Sequence, residues 1–202
     1  SQIMNSAGYV ADLQGTVELK AGDYFYFYGS FYGRGGALSL TAQKALSGNM
    51  AHIIKPAVAI LKDVKAYNVD GGQSTLGAFN TRDLNTVEGE SWFVTLADPD
   101  FTLEPGTYKI NVTSPFYYSE YSDARLYDVT NSVVVKYGAQ AYSHHAQDSS
   151  FIDTLLTIGA STTFRIQYRT NVTKATNGLG LSQYTDSTAI SVYTTVRIEK
   201  LK

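Results

Sequence analysis

Tyrosine is the residue type in this sequence best suited to hold a ligand, and it clusters twice along the chain. The denser cluster contains Tyr117, Tyr118 and Tyr121, and a second run at 24–28 alternates tyrosine with phenylalanine. A tyrosine joins a rigid apolar ring to a hydrogen-bonding hydroxyl, which suits contacts with sugars and with proteins. For 117–121, ligand recognition and structural packing remain equally open. For 24–28, the need to bury the phenylalanine face favours packing.

A long polar loop predicted at 171–188 is the second candidate binding element. It carries Asn177, Gln183 and Tyr184 among several glycines. Loops longer than about 12–15 residues in a compact domain are commonly functional or disordered. Amide and phenol groups hydrogen-bond well to sugar hydroxyls, so these three residues join the tyrosines of 117–121 as the predicted ligand-binding set. Arg165 and Arg169, on the preceding predicted strand, are interpreted as an ordinary solvated face.

The sequence lacks recognisable catalytic and metal-binding patterns. It has no nucleophile elbow, no zinc-protease helix motif and no phosphate-binding loop. Carboxylates such as Asp98 and Asp100 are close in sequence, but this does not make the facing pair that glycoside hydrolysis needs. His144 and His145 are adjacent and would point to opposite faces of a strand, so we interpret them as a loop. We predict no catalytic residue, no metal site and no cofactor.

Composition narrows the class of partner. The net charge of −2 over 202 residues gives no basic field, which argues against nucleic-acid binding. No run of about 18 apolar residues is present, so we predict no membrane insertion. The chain has no cysteine, which mildly favours assembly inside a reducing cytoplasm. A charged fraction of 17% with 16 tyrosines and 17 glycines is typical of sheets joined by tight turns.

The elements that must position these residues are short strands separated by turn signals. Predicted strands fall at 57–67, 91–96, 107–114, 125–129, 132–137, 151–158, 162–169 and 189–201. Such a run with no convincing helix predicts an all-β sandwich or barrel. In the last strand apolar and polar residues alternate, so we expect its core face to carry Ile190, Val192, Val196 and Ile198. Tyr193 should face the other way.

Several short motifs occur in an order that resembles a known family. They are DGG at 70–72, TRDLNT at 81–86, Trp92, FTLEPGTY at 101–108, ARLYD at 124–128 and VRIEK at 196–200. Together they resemble the C-terminal head domains of bacteriophage tail fibres and virion spikes. Those heads are similar to the jelly-roll β-sandwich of tumour necrosis factor and of the complement globular heads. The resemblance covers 56–202, the expected head domain, and leaves 1–55 as an N-terminal β region or a shaft or docking segment.

The resemblance implies a homotrimer that attaches a viral particle to its host. The expected partner is a host cell-surface glycan or protein receptor, and the expected location is the fibre or spike tip of a virion assembled in the host cytoplasm. Packing around a threefold axis would place Tyr193, Tyr24 and Tyr26 at the subunit interface. The family offers no fixed ligand residues to carry over. The alternative is a structural capsid or tail component that docks to other virion proteins.

Overall fold

The computed structural model describes residues 2–4, 10–12, 57–182 and 188–201. The chain divides into two compact units, Ser1–Ala51 and His52–Lys202. In the first unit, strands β1 (Gln2–Met4) and β2 (Val10–Asp12) pair in antiparallel fashion. Tyr24 and Tyr26 lie outside the described residues, so their placement at an interface stays a prediction, as does the role of 1–55.

The second unit is built from twelve described strands. They are β3 (Ala57–Lys65), β4 (Asn80–Thr81), β5 (Thr86–Gly89), β6 (Val94–Ala97), β7 (Asp100–Leu103), β8 (Gly106–Tyr117), β9 (Glu120–Asp128), β10 (Val133–Tyr137), β11 (Ala141–Ser143), β12 (Gln147–Ile158), β13 (Thr162–Thr170) and β14 (Ser191–Lys200). The predicted strands recur here with ends shifted by a few residues. The described residues include no helix that is long and apolar enough to cross a membrane.

These strands form two antiparallel sheets that face each other. The five-strand sheet has the order β12-β8-β14-β3-β5, and the seven-strand sheet has the order β10-β9-β13-β7-β6, with β11 added beside β9 and β4 beside β13. From β7 to β9, and again from β12 to β14, each strand lies in the opposite sheet from the one before. This crossing pattern is a jelly roll, so the predicted fold class is confirmed.

The core lies between the inner faces of the two sheets. Ile110, Val196 and Ile198 enter it from the five-strand sheet, while Phe101 and Phe164 from the seven-strand sheet meet with their ring centroids 5.8 Å apart. At one end of the sandwich a second buried cluster is formed by Phe116, Ala141, Tyr168 and Leu179. Each of these four residues lies on, or next to, a strand or loop that carries a predicted ligand-binding residue.

A β-bulge in β14 reverses the expected faces of its first half. Val192 is opposite Val64 and Thr195 is opposite Lys62, so β14 contains one residue more than β3 over the same span. Val196 and Ile198 are fully buried, as predicted. Ile190 and Val192 are exposed, so their assignment to the core was wrong. The prediction assumed unbroken alternation along the whole strand. The extra residue breaks that alternation and moves every side chain before it to the opposite face of the sheet.

The two ends of the sandwich are distinct. Ala57, the first described residue of β3, is opposite Lys200, which is in turn opposite Tyr108 on β8. Strand β8 runs from this end to Tyr117, so the far end lies about 30 Å away at roughly 3.3 Å per residue. The chain therefore enters the sandwich at the end opposite Tyr117 and Tyr118.

Candidate functional site

A strained turn between β8 and β9 positions the predicted tyrosines. Tyr118 and Glu120 have φ angles of 53° and 52°, in the left-handed region that residues with a side chain rarely adopt. Buried Ser119 between them holds this backbone: its Oγ donates to Gly178 O at 2.8 Å and lies 3.0 Å from Ser74 Oγ. Strain of this kind persists only where the surroundings fix it, and it concentrates at functional sites.

Six rings gather around this turn, and we call them the aromatic–histidine surface. They belong to Tyr117, Tyr118, Tyr121, Tyr142, His144 and His145. The centroids of Tyr117 and Tyr118 are 5.1 Å apart, and those of Tyr118 and His145 are 4.7 Å apart. The Tyr118 hydroxyl also hydrogen-bonds to Nδ1 of His145. The turn between β11 and β12, where the histidines lie, thus completes the surface begun by the tyrosines.

The far side of the surface is more open. Tyr121 and Tyr142 are cross-strand partners on β9 and β11, with ring centroids 4.8 Å apart, and both are exposed. Tyr142 also lies parallel to His144 at 6.2 Å. A continuous aromatic area that combines apolar faces with hydroxyl and imidazole edges can bind a partner by stacking and by hydrogen bonding together.

Opposite charges border the surface. The ammonium group of Lys174 lies 5.0 Å from the centre of the Tyr118 ring, a cation–π contact. Glu120 Oε1 lies 3.8 Å from Nδ1 of His144. A positive and a negative side chain therefore both lie beside the rings of the surface, so the surface is neither uniformly positive nor uniformly negative.

The first half of the loop after β13 packs beneath this surface. Tyr117 N donates to Gly178 O at 3.0 Å, and Lys174 pairs with Ser74 through hydrogen bonds between their backbones. Asn177 belongs to this packed part, and its Oδ1 is buried with no hydrogen-bond partner among the described residues. Gln183 and Tyr184 lie outside the described residues. All three assignments to the binding set stay predictions.

A buried arginine anchors that loop to the sandwich. Arg82 is fully buried, and its guanidinium donates from Nε to Ser114 Oγ at 2.8 Å, from Nη1 to Leu179 O at 3.0 Å and from Nη2 to Pro115 O. It also lies 4.7 Å from the centre of the Phe116 ring. Burial lowers the pKa of Arg82 to about 10, which leaves the group charged at neutral pH. Arg82 thus ties the loop backbone to β8 directly behind the tyrosines.

Tyr193 lies in the interior of a single chain, so the prediction that it faces away from the core was wrong. Because it falls in the bulge, its ring points inward, and its hydroxyl donates to Val69 O at 2.6 Å. Burial raises the pKa of this phenol. Gly180 passes so close that a Cβ there would lie 2.3 Å from the Tyr193 ring. One chain alone therefore keeps Tyr193 from solvent, and its predicted place at a subunit interface stays a prediction.

Asp100 and two other carboxylates, Glu88 and Glu90, have structural partners. Asp100 accepts two hydrogen bonds from Arg165, at 2.8 and 2.7 Å, and this pairing raises the pKa of the guanidinium. Glu88 binds Lys62 at 2.6 Å, and Glu90 accepts from Trp92 Nε1 at 3.2 Å. Among the described residues no group of three or more histidine or acidic side chains is placed to hold a metal ion.

Sequence reasoning missed the parts of the site that come from elsewhere in the chain. Lys174, Tyr142 and the pair His144–His145 reach the Tyr118 turn from two separate connections. Arg165 and Arg169 are also more than a solvated face, because each pairs with an aspartate. The density of tyrosine at 117–121 was the one signal that led to the surface.

No family model matches the sequence, and no curated protein matches it. Similar solved structures include murine APRIL at pH 5.0, with 10% identity, a TM-score of 0.49, and coverage of 73% of this chain and 100% of that chain. The globular domain of zebrafish complement 1qA has 14% identity, a TM-score of 0.47, and coverage of 73% and 98%. The Eiger TNF structure from S. frugiperda has 12% identity, a TM-score of 0.45, and coverage of 73% and 93%. The jelly-roll assignment rests on the strand order of this chain itself.

Proposed function

We propose that this chain is the head of a bacteriophage fibre or virion spike, which attaches the particle to a host cell-surface glycan or protein receptor as a homotrimer. The observation that carries the proposal is the aromatic–histidine surface at the end of the sandwich opposite Ala57, where the chain enters. Rings that are partly exposed there, on a strained and braced turn, are available to a receptor.

The outer face of the five-strand sheet supports assembly with further copies of this chain. On β12, the edge strand of that sheet, Phe151 is 57% exposed and Leu155 is 69% exposed. Large apolar side chains on a long edge strand favour association. Lys109 lies opposite Leu155, and Asp153 lies between the two apolar residues, so both signs of charge are present. A face that carries both signs of charge can approach another copy of the chain without net repulsion.

The oligomeric mass tests this assembly directly. We expect light scattering to give three times the 22.1 kDa of one chain. Leu155→Asp places a charge in the proposed interface and should lower the mass to that of one chain. Val133→Asp, at an exposed apolar position on β10 in the other sheet, is the matched control and should stay trimeric. A monomeric native protein, or a trimeric Leu155→Asp variant, would contradict the proposed assembly.

Binding of the intact protein to glycan arrays and to a panel of bacterial cells tests attachment. Tyr142→Ala removes an exposed ring from the surface and leaves the backbone of the Tyr118 turn in place. An aromatic contact contributes about 1 kcal/mol beyond its area, and three linked sites multiply the loss, so we expect binding to fall more than tenfold. Trp92→Ala is the control, because Trp92 is an exposed ring near Lys200 at the opposite end.

The outcomes separate attachment from the structural alternative. Binding by the native protein and by Trp92→Ala, with loss in Tyr142→Ala, supports a receptor role for the aromatic–histidine surface. Equal binding by all three proteins places the receptor site elsewhere. No binding to any cell or glycan, together with normal incorporation into particles, indicates a component that docks to other virion proteins.

A further inference from the structure

A groove beside the aromatic–histidine surface has the form of a small-ligand site. It encloses about 320 Å³ and is lined by residues that include Gly77, Tyr121, Gln140, Arg169 and Asn171. This volume is at the lower end of the roughly 300–1,000 Å³ found for ligand sites, which suits one small ring better than an extended chain. Tyr121 belongs both to the groove and to the surface, so the groove opens directly onto the aromatic area.

The charged groups in the groove are held in place before any ligand arrives. Arg169 and Asp123 are cross-strand partners on β13 and β9, and Arg169 Nη2 donates to Asp123 Oδ2 at 2.9 Å. The guanidinium carbon also lies 4.9 Å from the centre of the Phe79 ring. Held by a carboxylate and a ring, Arg169 loses little conformational freedom when it donates its remaining N–H groups to a ligand.

The charge balance of the groove selects the class of ligand. Arg169 and Asp123 are the only charged residues among the described residues that line it, and they neutralise each other. An anionic ligand would have to compete with the carboxylate for the guanidinium. A neutral ligand with hydroxyl groups can accept from Arg169 and also exchange hydrogen bonds with the exposed amides of Gln140 and Asn171.

The exposed ring of Tyr121 supplies the apolar half of the site. It is 60% exposed and is braced from the side by Tyr142, at 4.8 Å between centroids. A flat aromatic platform beside convergent polar groups matches a pyranose, whose ring has an apolar C–H face and a rim of hydroxyls. We propose that this groove binds one neutral hexopyranose unit, stacked on Tyr121 and hydrogen-bonded by Arg169. The inference rests on the proposed attachment function and names the chemistry of its receptor.

Saturation-transfer NMR on the whole protein tests the groove with simple sugars. The probes are the methyl glycosides of glucose, galactose and mannose, with methyl galacturonate as the anionic comparison. We expect transfer to at least one neutral glycoside and weaker transfer to the anionic one. Tyr121→Ala and Arg169→Gln should each weaken binding at least tenfold, whereas Trp92→Ala at the opposite end should bind as the native protein does. Tyr121 is on the surface, so its variant tests the site without disturbing the core.

The results distinguish failure of this inference from failure of the attachment proposal. If no neutral glycoside binds, or if both groove variants bind as the native protein does, the groove is not a hexose site. In that case attachment to cells stands on its own result, because the native protein can still bind cells through the rest of the surface. If the native protein binds neither cells nor glycans, both the attachment proposal and the hexose site are refuted. Preferential binding of the galacturonate would overturn the neutral-ligand assignment alone.

Discussion

Replacing Arg82 by methionine should destabilise the domain and release the loop behind the candidate site. Arg82 donates three hydrogen bonds inside the protein, to Ser114 Oγ, Leu179 O and Pro115 O. Methionine has similar length and no donor, so three buried acceptors lose their partner. At about 2 kcal/mol for each unsatisfied acceptor, the loss is about 6 kcal/mol.

Part of that loss is offset because the variant no longer buries a charge. Burial lowers the pKa of Arg82 to about 10, which corresponds to roughly 3 kcal/mol of cost for the charged form in the folded state. The net loss of unfolding free energy for Arg82→Met is therefore about 3 kcal/mol. With a slope of about 2 kcal/mol per molar urea, the unfolding midpoint should fall by about 1.5 M.

Urea unfolding followed by circular dichroism, at one fixed protein concentration, measures this shift. Lys136→Met removes an exposed cation from β10 and is the matched control, expected to unfold as the native protein does. Hydrogen exchange adds a local measurement: the Leu179 N–H, which donates to Gly72 O at 3.0 Å, should lose protection in Arg82→Met. A midpoint equal to that of Lys136→Met would refute the assignment of Arg82 as the anchor of the loop.

Four further substitutions, one of them a control, test the bulge and its surroundings. Gly180→Ala should cost about 2–4 kcal/mol in thermal or urea unfolding, because its φ of +138° disfavours a side chain and the new Cβ would overlap Tyr193. Gly159→Ala, where a Cβ meets nothing within 4 Å, should be close to neutral; equal effects of the two would refute the overlap argument. Tyr193→Phe should cost about 1 kcal/mol through loss of the bond to Val69 O, and an unchanged stability would show that this bond contributes nothing. Burial raises the pKa of Asp63, so the folded protein binds this proton more tightly than the unfolded chain does. The free energy of unfolding should therefore fall as the pH rises from 3.8 through the pKa of Asp63 in the folded protein. Asp63→Asn should not show this fall, and parallel stability–pH profiles for the variant and the native protein would refute the argument.

Period-2 alternation predicted the strands and an all-β sandwich or barrel, because both sheets have one inner face, whereas the jelly roll was implied only by the family resemblance. The alternation of Phe164, Ile166 and Tyr168 predicted β13 within one residue, and the turn at Thr130–Asn131 separated β9 from β10. Such patterns report which side chains share a face of one strand. They do not report which strand lies beside it, because pairing depends on contacts between segments far apart in sequence.

The bulge shows the limit of the same reasoning. Val192 and Tyr193 are both apolar enough to be buried, so the sequence allows either residue to face the core. The choice is made by the pairing of β14 with β3, in which the bulge residues Tyr193 and Thr194 both turn inward opposite buried Asp63. No local preference in the sequence marks this extra residue, and the alternation on either side continues without a visible break.

The sequence predicted which type of residue forms the candidate site, but it did not predict which segments of the chain come together there. The density of tyrosine at 117–121 left ligand recognition and structural packing equally open, because a tyrosine joins an apolar ring to a hydrogen-bonding hydroxyl. The pairing of Arg169 with Asp123 depends on the register between β13 and β9, and the approach of His145 to Tyr118 depends on where the β11–β12 turn folds. Both contacts depend on the tertiary structure, which cannot be deduced from a single sequence.

The position of β3 determines how the sandwich bears force. This strand is hydrogen-bonded on both sides, to β14 and to β5, and the chain enters it at Ala57, about 30 Å from the aromatic–histidine surface. A pull on Ala57 directed away from that surface acts along the strand axis. Antiparallel ladder bonds run perpendicular to the strands, so this load shears all of them at once instead of opening them one by one. The sandwich therefore resists force most strongly when it is pulled along the line between Ala57 and the aromatic–histidine surface.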